Sequence, residues 1–479
     1  MEESHIFLVV GGILAISILI ALLASRAGVP SLVAFLLFGM LLGSEGIGGI
    51  NFNDVEIARM VGTVGLVAIL FEGGLSTSWR RLRTVAIPAT LLSTFGVIIT
   101  ALLTGLAAFV LFDLPWIYAL LLGAVVSSTD AAAVFATFRF TKIRRRLART
   151  LEAESGGNDP MAIALTIGLI AWIQEPAYGF GDLSVLILNQ IGLGLVAGVL
   201  LGAAAMRVFS RLPQAIGSFA PVASIAACAL SFGVAELIGG SGFLSVYLVG
   251  LAIGSTPSRY RSGLTVFHEG LAFLAQVTMF IIMGLFVYPS QLIAVAGASI
   301  VLALLLVLVI RPISVGFSLP GKHFNYHEKA FLGFAGLRGA VPIVLGTFVL
   351  SSHIDHGETI FNAVFFIVLT SALIQGKMLE WVAEKLHVVD HLPQAKVPDT
   401  NKMEQILFYV SPEHAIAGVM VSEIGLPPKA KLKSITRKKK VIEPAKTTLI
   451  EAGDHLSVVA PLSMHPEIED VFTRWRRRV

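Results

Sequence analysis

Two short polar runs lie inside stretches of this sequence that are otherwise apolar, and both contain carboxylates. Residues 127–130 read SSTD, and residues 154–160 read ESGGNDP. A carboxylate at membrane depth loses its hydration and persists only beside water or polar partners, which makes it a functional candidate. Carboxylate, hydroxyl and carbonyl oxygens are also the ligands that hard monovalent cations take. The two runs therefore predict a cation site.

The spacing within the second run places its polar residues together. Residues four positions apart share one helix face, so Glu154 lies with Asn158 and Ser155 lies with Asp159. Asp159 is about 15 Å from the predicted cytoplasmic end of its helix, near the middle of a hydrocarbon core about 30 Å thick. Pro160 cannot donate a helical hydrogen bond, which leaves a carbonyl available to a cation. The SSTD run is typical of points where transporter helices unwind around a site.

A carboxylate that has lost its water shell takes up a proton more readily. Asp159 can therefore hold either a proton or a cation, and competition between the two is sufficient for exchange. The alternative is that Asp130 and Asp159 only join helices through hydrogen bonds. Amide and hydroxyl side chains join helices at a lower free-energy cost than carboxylates, so we favour a cation site over a purely structural role.

Two arginines lie in the later apolar segments. Arg311 ends the eleventh segment, and Arg338 lies in the run GLRGAVP at residues 336–342. We predict that Arg338 pairs with Glu154. Arg311 is either a buried partner or an interfacial residue that extends its head to water. Glu72, near the end of the third segment, fits either an entrance-lining charge or an interfacial acid.

The composition is that of a polytopic membrane protein. The chain has 479 residues, of which 55% are hydrophobic and 14% charged, and its mean hydropathy is +0.83. Its one cysteine, Cys228, lies in an apolar run, so neither a disulfide framework nor a thiolate metal site is expected. A span takes about 20 residues, which predicts about 13 spans. They lie near residues 6–25, 30–47, 55–75, 85–113, 115–137, 149–174, 185–210, 218–239, 243–257, 266–287, 291–317, 327–351 and 358–385.

Positive charge alternates between the predicted loops. Short loops rich in Lys and Arg stay cytoplasmic, and such loops surround Arg80, Arg145 and Arg259, whereas Asp113 and Asp182 lie in the intervening loops. The pattern predicts an external N-terminus and a cytoplasmic C-terminus, and we expect the membrane to be a bacterial cytoplasmic membrane. No basic flank precedes the first apolar segment, so we interpret it as a span and not as a cleavable signal.

The composition changes near residue 388. Residues 1–387 form the predicted membrane domain, residues 388–400 a polar linker, residues 401–463 a small cytoplasmic α/β module, and residues 464–479 a basic tail. Within the module, alternation and periodicity predict strands at 407–410, 432–442 and 447–459 and a helix at 413–424.

Taken in order, four runs resemble the signatures of the monovalent cation:proton antiporters, in the NhaP-like branch that carries an Asn-Asp pair. They are FEGG at 71–74, STD at 128–130, LEAESGGNDP at 151–160 and GLRG at 336–339. The resemblance covers residues 6–385. It implies an all-α, NhaA-like antiporter fold with two inverted six-helix repeats, broken fifth and twelfth spans that cross beside the sixth, and a homodimer.

The resemblance also implies roles for the matching polar residues. Asp159 would carry the cation and the proton in turn. Asp130 and Ser155 would complete the cation shell, and Thr129 would contribute a further oxygen.

Three other residues would have structural roles in such a family member. Asn158 would hold the crossing helices together, and Glu154 would form a bracing ion pair with Arg338. The Asn-Asp pair resembles that of the electroneutral members, which implies one cation for one proton.

The tail resembles the TrkA C-terminal regulatory domain across about residues 404–461. The matching residues are 411–425, 435–437, Pro444 and 453–456. Such domains dimerise, accompany potassium transporters and channels, and in several cases bind nucleotides. The resemblance favours potassium and makes a nucleotide a candidate regulator, although no complete nucleotide-binding half precedes the domain.

We therefore predict a non-enzymatic secondary antiporter without cofactor that exchanges potassium, or sodium, for protons, lies in the lipid bilayer and binds no nucleic acid. The alternatives are a sodium-selective exchanger, a ligand-gated potassium channel, and an intramembrane hydrolase that uses Asp130 and Asp159 as an acid pair. The run TVGL at 63–66 lacks the aromatic residue of a potassium filter, which disfavours the channel. The hydrolase lacks a companion motif.

Overall fold

The computed structural model comprises two compact units, Met1–Asp390 and His391–Val479. It describes residues 3–27, 30–138, 142–211, 219–256, 260–319, 321, 324–390, 403–411, 413–428, 430–437, 440–461 and 464–475.

The first unit is helical. Among its described helices, six are long and apolar enough to cross a membrane, and several shorter apolar helices accompany them. The six are Ala86–Phe112, Phe180–Arg211, Ala220–Leu237, Arg261–Leu285, Pro289–Ser318 and Gly357–Lys385. This supports the multi-pass membrane architecture expected from the composition. The helices are α1 (Glu3–Ala27), α2 (Ser31–Leu42), α3 (Val55–Ser76), α4 (Trp79–Leu82), α5 (Ala86–Phe112), α6 (Trp116–Val125), α7 (Ala131–Thr137), α8 (Arg145–Gln174), α9 (Phe180–Arg211), α10 (Ala220–Leu237), α11 (Gly242–Ser255), α12 (Arg261–Leu285), α13 (Pro289–Ser318), α14 (Tyr326–Phe334), α15 (Ala340–Ser351) and α16 (Gly357–Lys385).

Two of the predicted spans are each divided into a pair of short helices. The first pair is α6 and α7, and the second is α14 and α15. The chain is extended at Asp130, with φ −110° and ψ 105°, and it is also non-helical at Gly339, with φ −115° and ψ −137°. The two interruptions thus fall at the SSTD and GLRG runs, where polar residues and glycine weaken a helix that apolar packing would otherwise maintain.

Helices α3 and α11 pack with their backbones in direct contact. A side-chain carbon at Gly74 would overlap the carbonyl oxygen of Tyr247, and one at Gly250 would lie 2.5 Å from the carbonyl oxygen of Phe71. Small residues permit this close approach between membrane helices. The pair therefore forms a closely packed wall opposite α8, against which Tyr247 projects its ring.

A two-stranded sheet ties the end of the membrane unit to the connection between α7 and α8. Strand β1 (Lys142–Ile143) pairs antiparallel with β2 (Val389–Asp390). The neighbouring Arg144 donates from its backbone to the Val388 carbonyl at 3.0 Å and from Nη2 to the His387 carbonyl at 2.9 Å. Val388 and Val389 are buried in this unit, so the start of the predicted 388–400 linker is wrong. Residues 391–400 of that linker lie outside the described residues.

The second unit contains a four-stranded antiparallel sheet with strand order β3-β6-β4-β5. Its elements are β3 (Met403–Tyr409), β4 (Lys431–Arg437), β5 (Lys440–Ile442), β6 (His455–Pro461) and α17 (His465–Trp475). The expected small α/β module is therefore present, and the predicted strand at 432–442 is a β4–β5 hairpin.

Two predictions for this unit are wrong, and the strand predicted at 447–459 begins only at His455, as β6. The helix expected at 413–424 is a series of turns with a short 3-10 helix, because Gly418 takes φ +94° and interrupts any helix there. The segment predicted as a basic tail instead contains α17, and Ile468, Val471 and Phe472 of that helix are buried in the core of the unit. The terminal arginines 476–478 lie outside the described residues.

Candidate functional site

The two interrupted helix pairs meet at their unwound segments, which are bonded to each other at a point that we call the crossing. The Asp130 backbone N–H donates to the Leu337 carbonyl at 2.8 Å. Arg338 Nη1 donates to the carbonyls of Ser127 and Ser128 at 2.8 and 2.5 Å. A buried guanidinium thus satisfies carbonyls that follow the end of α6, where the helix dipole is negative.

Helix α7 begins at the crossing with a carboxylate cap. Asp130 Oδ1 accepts from the Ala133 backbone N–H at 3.0 Å. An acid at a helix N-terminus is favoured both by the free N–H groups and by the positive end of the dipole. The side chain that caps this helix also reaches the cavity beside it, which gives Asp130 a structural and a site-facing position.

A cavity of about 240 Å³ lies beside the crossing and collects most of the predicted site residues. Asp130, Ser155, Asp159 and Thr129 all line it. Asp159 is 7% exposed. Two carboxylates in one cavity repel each other when both are ionised, and a cation or a proton relieves that repulsion. The chemistry available here is therefore competition between a cation and a proton for carboxylate oxygens.

Hydrogen bonds hold α8 against the unwound segment. Asn158 Nδ2 donates to Thr129 Oγ1 at 2.7 Å, and Ser155 Oγ accepts from the Ala131 backbone N–H at 3.3 Å. Asn158 is fully buried, and its Oδ1 has no partner among the described residues. Asn158 thus lies at the contact between α8 and the break, as the resemblance implies.

The predicted ion pair between Glu154 and Arg338 is wrong. Glu154 bonds to Arg311 instead, and both side chains are at most 1% exposed. A π turn, Leu306–Ile310, directly precedes Arg311 and adds a residue to that turn of α13, which changes the direction of the following side chains. Arg338 meanwhile faces backbone carbonyls. The alternative of an interfacial, water-reaching Arg311 is also wrong.

Glu72 lies at the same cavity as Asp159. Its carboxylate accepts a hydrogen bond of 2.6 Å from Ser76 Oγ, one turn later on α3. Of the two alternatives for this residue, lining of the cavity fits this position.

The backbone of α8 differs from the expected loosened segment. The helix is continuous across Pro160, so no carbonyl is freed by unwinding there. Gly156 and Gly157 instead allow close approach: a side-chain carbon at Gly156 would overlap the Tyr247 ring, and one at Gly157 would lie 2.8 Å from Ser93 Oγ. The glycine pair lets α8 fit between α11 and α5.

Sequence reasoning missed several polar groups of the site. Tyr247 and Gln276 line the cavity from α11 and α12. Ser371 Oγ accepts from the Arg338 backbone N–H at 3.2 Å and lies in the π turn Ser371–Gln375 of α16. A single polar residue in an apolar helix gives little local sequence signal. Ser93, like Ser371, lies in a π turn, a feature that is frequent at functional sites.

Two interrupted helices that meet beside an acidic cavity within a multi-pass membrane unit are typical of a secondary ion transporter. The family model "Sodium/hydrogen exchanger, transmembrane" matches residues 13–385, and the chain belongs to this family. The resemblance to cation:proton antiporters is thereby confirmed, and the protein is an antiporter and not an enzyme.

Similar proteins cover most of the chain. The K(+)/H(+) antiporter NhaP2 of Shewanella baltica (strain OS223) is 34% identical over 481 residues, which are 98% of this chain and 83% of that protein. The K(+)/H(+) antiporter NhaP of Alkalimonas amylolytica is 42% identical over 398 residues, 82% of this chain and 68% of that protein. The structure of the sodium proton antiporter MjNhaP1 of Methanocaldococcus jannaschii at pH 8 has a TM-score of 0.71, 24% identity, and covers 81% of this chain and 99% of that chain. This last similarity concerns the fold.

Proposed function

We propose that the protein exchanges one potassium ion for one proton, with Asp159 as the carrier of both. The observation that supports this is the cavity where Asp159 meets Asp130, Ser155 and Thr129, because it brings four oxygen-bearing side chains together. The cation takes these oxygens as ligands. When a proton occupies Asp159, the carboxyl loses its charge and its hold on the cation.

The charges at the crossing favour a ratio of one to one. Asp130, Asp159 and Glu154 contribute three negative charges when ionised, and Arg311 and Arg338 contribute two positive charges. The sum is one net negative charge, which a single monovalent cation or a single proton neutralises. Both loaded forms of these five groups then have the same charge, and the carboxylates of Glu72 and Glu152, which also line the cavity, contribute equally to the two forms, so the exchange itself moves no net charge.

Potassium is favoured over sodium by the relatives. The antiporters of Shewanella and Alkalimonas named above are K(+)/H(+) exchangers, whereas the Na(+)/H(+) antiporter ApNhaP of Aphanothece halophytica is 28% identical over 387 residues. Proton efflux from everted vesicles on addition of potassium or of sodium decides between the two cations, because only the transported cation drives protons out.

The finer architecture and regulation belong to the same proposal. The membrane unit makes 13 crossings as inverted repeats in a bacterial inner membrane, with an external N-terminus and a cytoplasmic C-terminus, and it forms a homodimer. The second unit is a TrkA-C-type regulatory domain, and a small nucleotide is its candidate ligand. The antiparallel sheet with its packed helix α17 is compatible with such a module.

The carrier assignment is tested with Asp159→Asn in proteoliposomes that contain a pH-sensitive dye. We expect loss of potassium-driven proton exchange with an unchanged size-exclusion profile, because the amide keeps the shape but cannot ionise. Asp355→Asn is the matched control, since Asp355 is exposed, and it should retain exchange. Undiminished exchange by Asp159→Asn would reject the assignment, and a conducted current without proton movement would indicate a channel.

A further inference from the structure

A second cavity, of about 330 Å³, lies between α3, α10 and α12. Its walls are mostly apolar, with Phe71, Ile225 and Leu271 contributed by the three helices in turn, and it shares no lining residue with the cavity beside Asp159. Val64 and Ile225 line it and are 64% and 42% exposed, so it opens at the surface of the membrane unit. A volume of about 300 Å³ or more with apolar walls and few polar groups is typical of a small-molecule site.

The hydrogen bonds of His268, which lines this cavity and is 2% exposed, fix the tautomer of its imidazole. Nε2 lies 2.8 Å from Ser224 Oγ, and the Ser224 hydroxyl donates to the Pro221 carbonyl at 2.7 Å. Because a hydroxyl has one hydrogen, Nε2 is the donor to Ser224. A charged ring would lack a counterion, since no Asp or Glu is among the described residues that line the cavity. The ring is therefore neutral, and its Nδ1 is a hydrogen-bond acceptor.

The protein leaves this acceptor without a donor. Nδ1 of His268 has no hydrogen-bond partner among the described residues. The rings of Phe71 and Phe267 lie 4.7 and 5.1 Å from the imidazole, between ring centres, and Phe side chains carry no donor. The hydroxyl of Thr63, which also lines the cavity, donates to the Arg59 carbonyl at 2.9 Å. A buried acceptor without a partner is costly, so a ligand with one donor supplies what the cavity lacks.

We propose that this cavity binds a neutral, hydroxyl-bearing lipid of the bilayer. Its hydroxyl donates to Nδ1 of His268, and its hydrocarbon chain covers the apolar walls. The depth of the acceptor excludes a charged headgroup: His268 follows the start of α12 at Arg261 by about 10 Å along the helix, and a charge at that depth is costly. The site is separate from the exchange of cation and proton, because the two cavities have different lining residues.

The test uses the full chain in proteoliposomes without an ion gradient, and a long-chain alcohol that carries a photoactivatable diazirine. At equal membrane concentrations, 1-decanol should compete with this label about fivefold better than its methyl ether, which lacks the donor of one hydrogen bond. His268→Phe keeps an aromatic ring without the acceptor and should remove the difference.

Two glycine variants test the location of the ligand. Gly233 lines the cavity, and a side-chain carbon there would meet no atom within 4 Å, so Gly233→Leu should fold and suppress labelling by occupying the space of the ligand. Gly297 of α13 has the same free space but is not among the residues that line the cavity. Gly297→Leu is therefore the matched control and should be labelled as the unmodified chain is.

Several outcomes would overturn the proposal. Equal competition by the alcohol and the ether, an unchanged preference in His268→Phe, or undiminished labelling of Gly233→Leu would each do so. The other possible occupant of the opening is a second copy of the chain. Cys228 lines the cavity and is the one cysteine of the sequence, so a short bifunctional thiol reagent shows whether two copies meet there; cross-linked pairs without photolabelling would refute the lipid. None of these measurements involves exchange, so their failure leaves the role of Asp159 untouched.

Discussion

Replacing Arg311 should destabilise the membrane unit strongly because it leaves the Glu154 carboxyl buried without its ion-pair partner. Both side chains are at most 1% exposed, and Glu154 Oε2 already lacks a partner among the described residues. Removing one member of such a buried pair typically costs about 3–5 kcal/mol, whereas replacing both members is often nearly neutral. We therefore expect a large loss for Arg311→Met and recovery of most of it in the double variant with Glu154→Gln.

The expected loss can be converted to a melting temperature. The membrane unit spans 390 residues, Met1–Asp390, and the unfolding entropy of globular proteins is about 2.1 cal/mol/K per residue, or about 0.8 kcal/mol/K for this unit. A loss of about 3–5 kcal/mol then corresponds to a decrease of about 4–6 °C in Tm. Fluorescence-detected size exclusion after heating of the detergent-solubilised protein measures it.

A double-mutant cycle decides whether Arg311 or Arg338 is the partner. The coupling free energy between Glu154→Gln and Arg311→Met should be at least about 2 kcal/mol larger than that between Glu154→Gln and Arg338→Met. Arg338 is the matched control because it is also buried, yet its donors face the carbonyls of Ser127 and Ser128. Equal couplings, or a larger one with Arg338, would refute the assignment.

Two further predictions concern other contacts. Gly156→Ala should lower Tm and slow exchange, because the added carbon overlaps the Tyr247 ring; the expected loss of stability is about 1–3 kcal/mol. Combining it with Tyr247→Ala should restore part of this stability. Additive losses in the double variant would contradict the explanation. In the second unit, burial alone raises the pKa of Asp454, but hydrogen bonds from Arg437 and from the Glu451 backbone N–H outweigh burial and lower that pKa. The ionised Asp454 side chain should stabilise the second unit fully above the ordinary carboxyl pKa of about 4, and this stabilisation should be lost as the pH falls through the lowered pKa. Hydrogen exchange of β6 in the full chain should show this, and Arg437→Ala should weaken protection at pH 7 by about 1–3 kcal/mol.

The positions of the interruptions and of the acidic cavity could be predicted from the sequence. Polar residues such as Asp130 and Asp159 are too costly in a membrane to be incidental, so their presence alone indicates a site. The partner of Glu154 could not be predicted, because two arginines of equal charge were available. The choice depends on the direction that the π turn before Arg311 gives to its side chain, which no local pattern encodes.

The two wrong predictions for the second unit have different physical causes. The basic composition of residues 464–479 concealed an amphipathic pattern, since Ile468, Val471 and Phe472 are spaced three and four apart, which indicates one buried helix face. The false helix at 413–424 had the right periodicity, but Gly418 in a left-handed conformation overrode it. Periodicity predicts a buried helix face reliably only where no glycine takes a left-handed conformation that interrupts the helix.

The β1–β2 pairing gives Asp390, the last residue of the first unit, a mechanical connection to the ion site. Strand β1 joins the helix capped by Asp130 to the helix that carries Asp159, and its partner β2 immediately precedes the second unit. A force on Asp390 therefore acts on this joint and not on a free end. A register slip of one residue, about 3.3 Å, would break the Arg144 bonds to His387 and Val388 and release the start of α8.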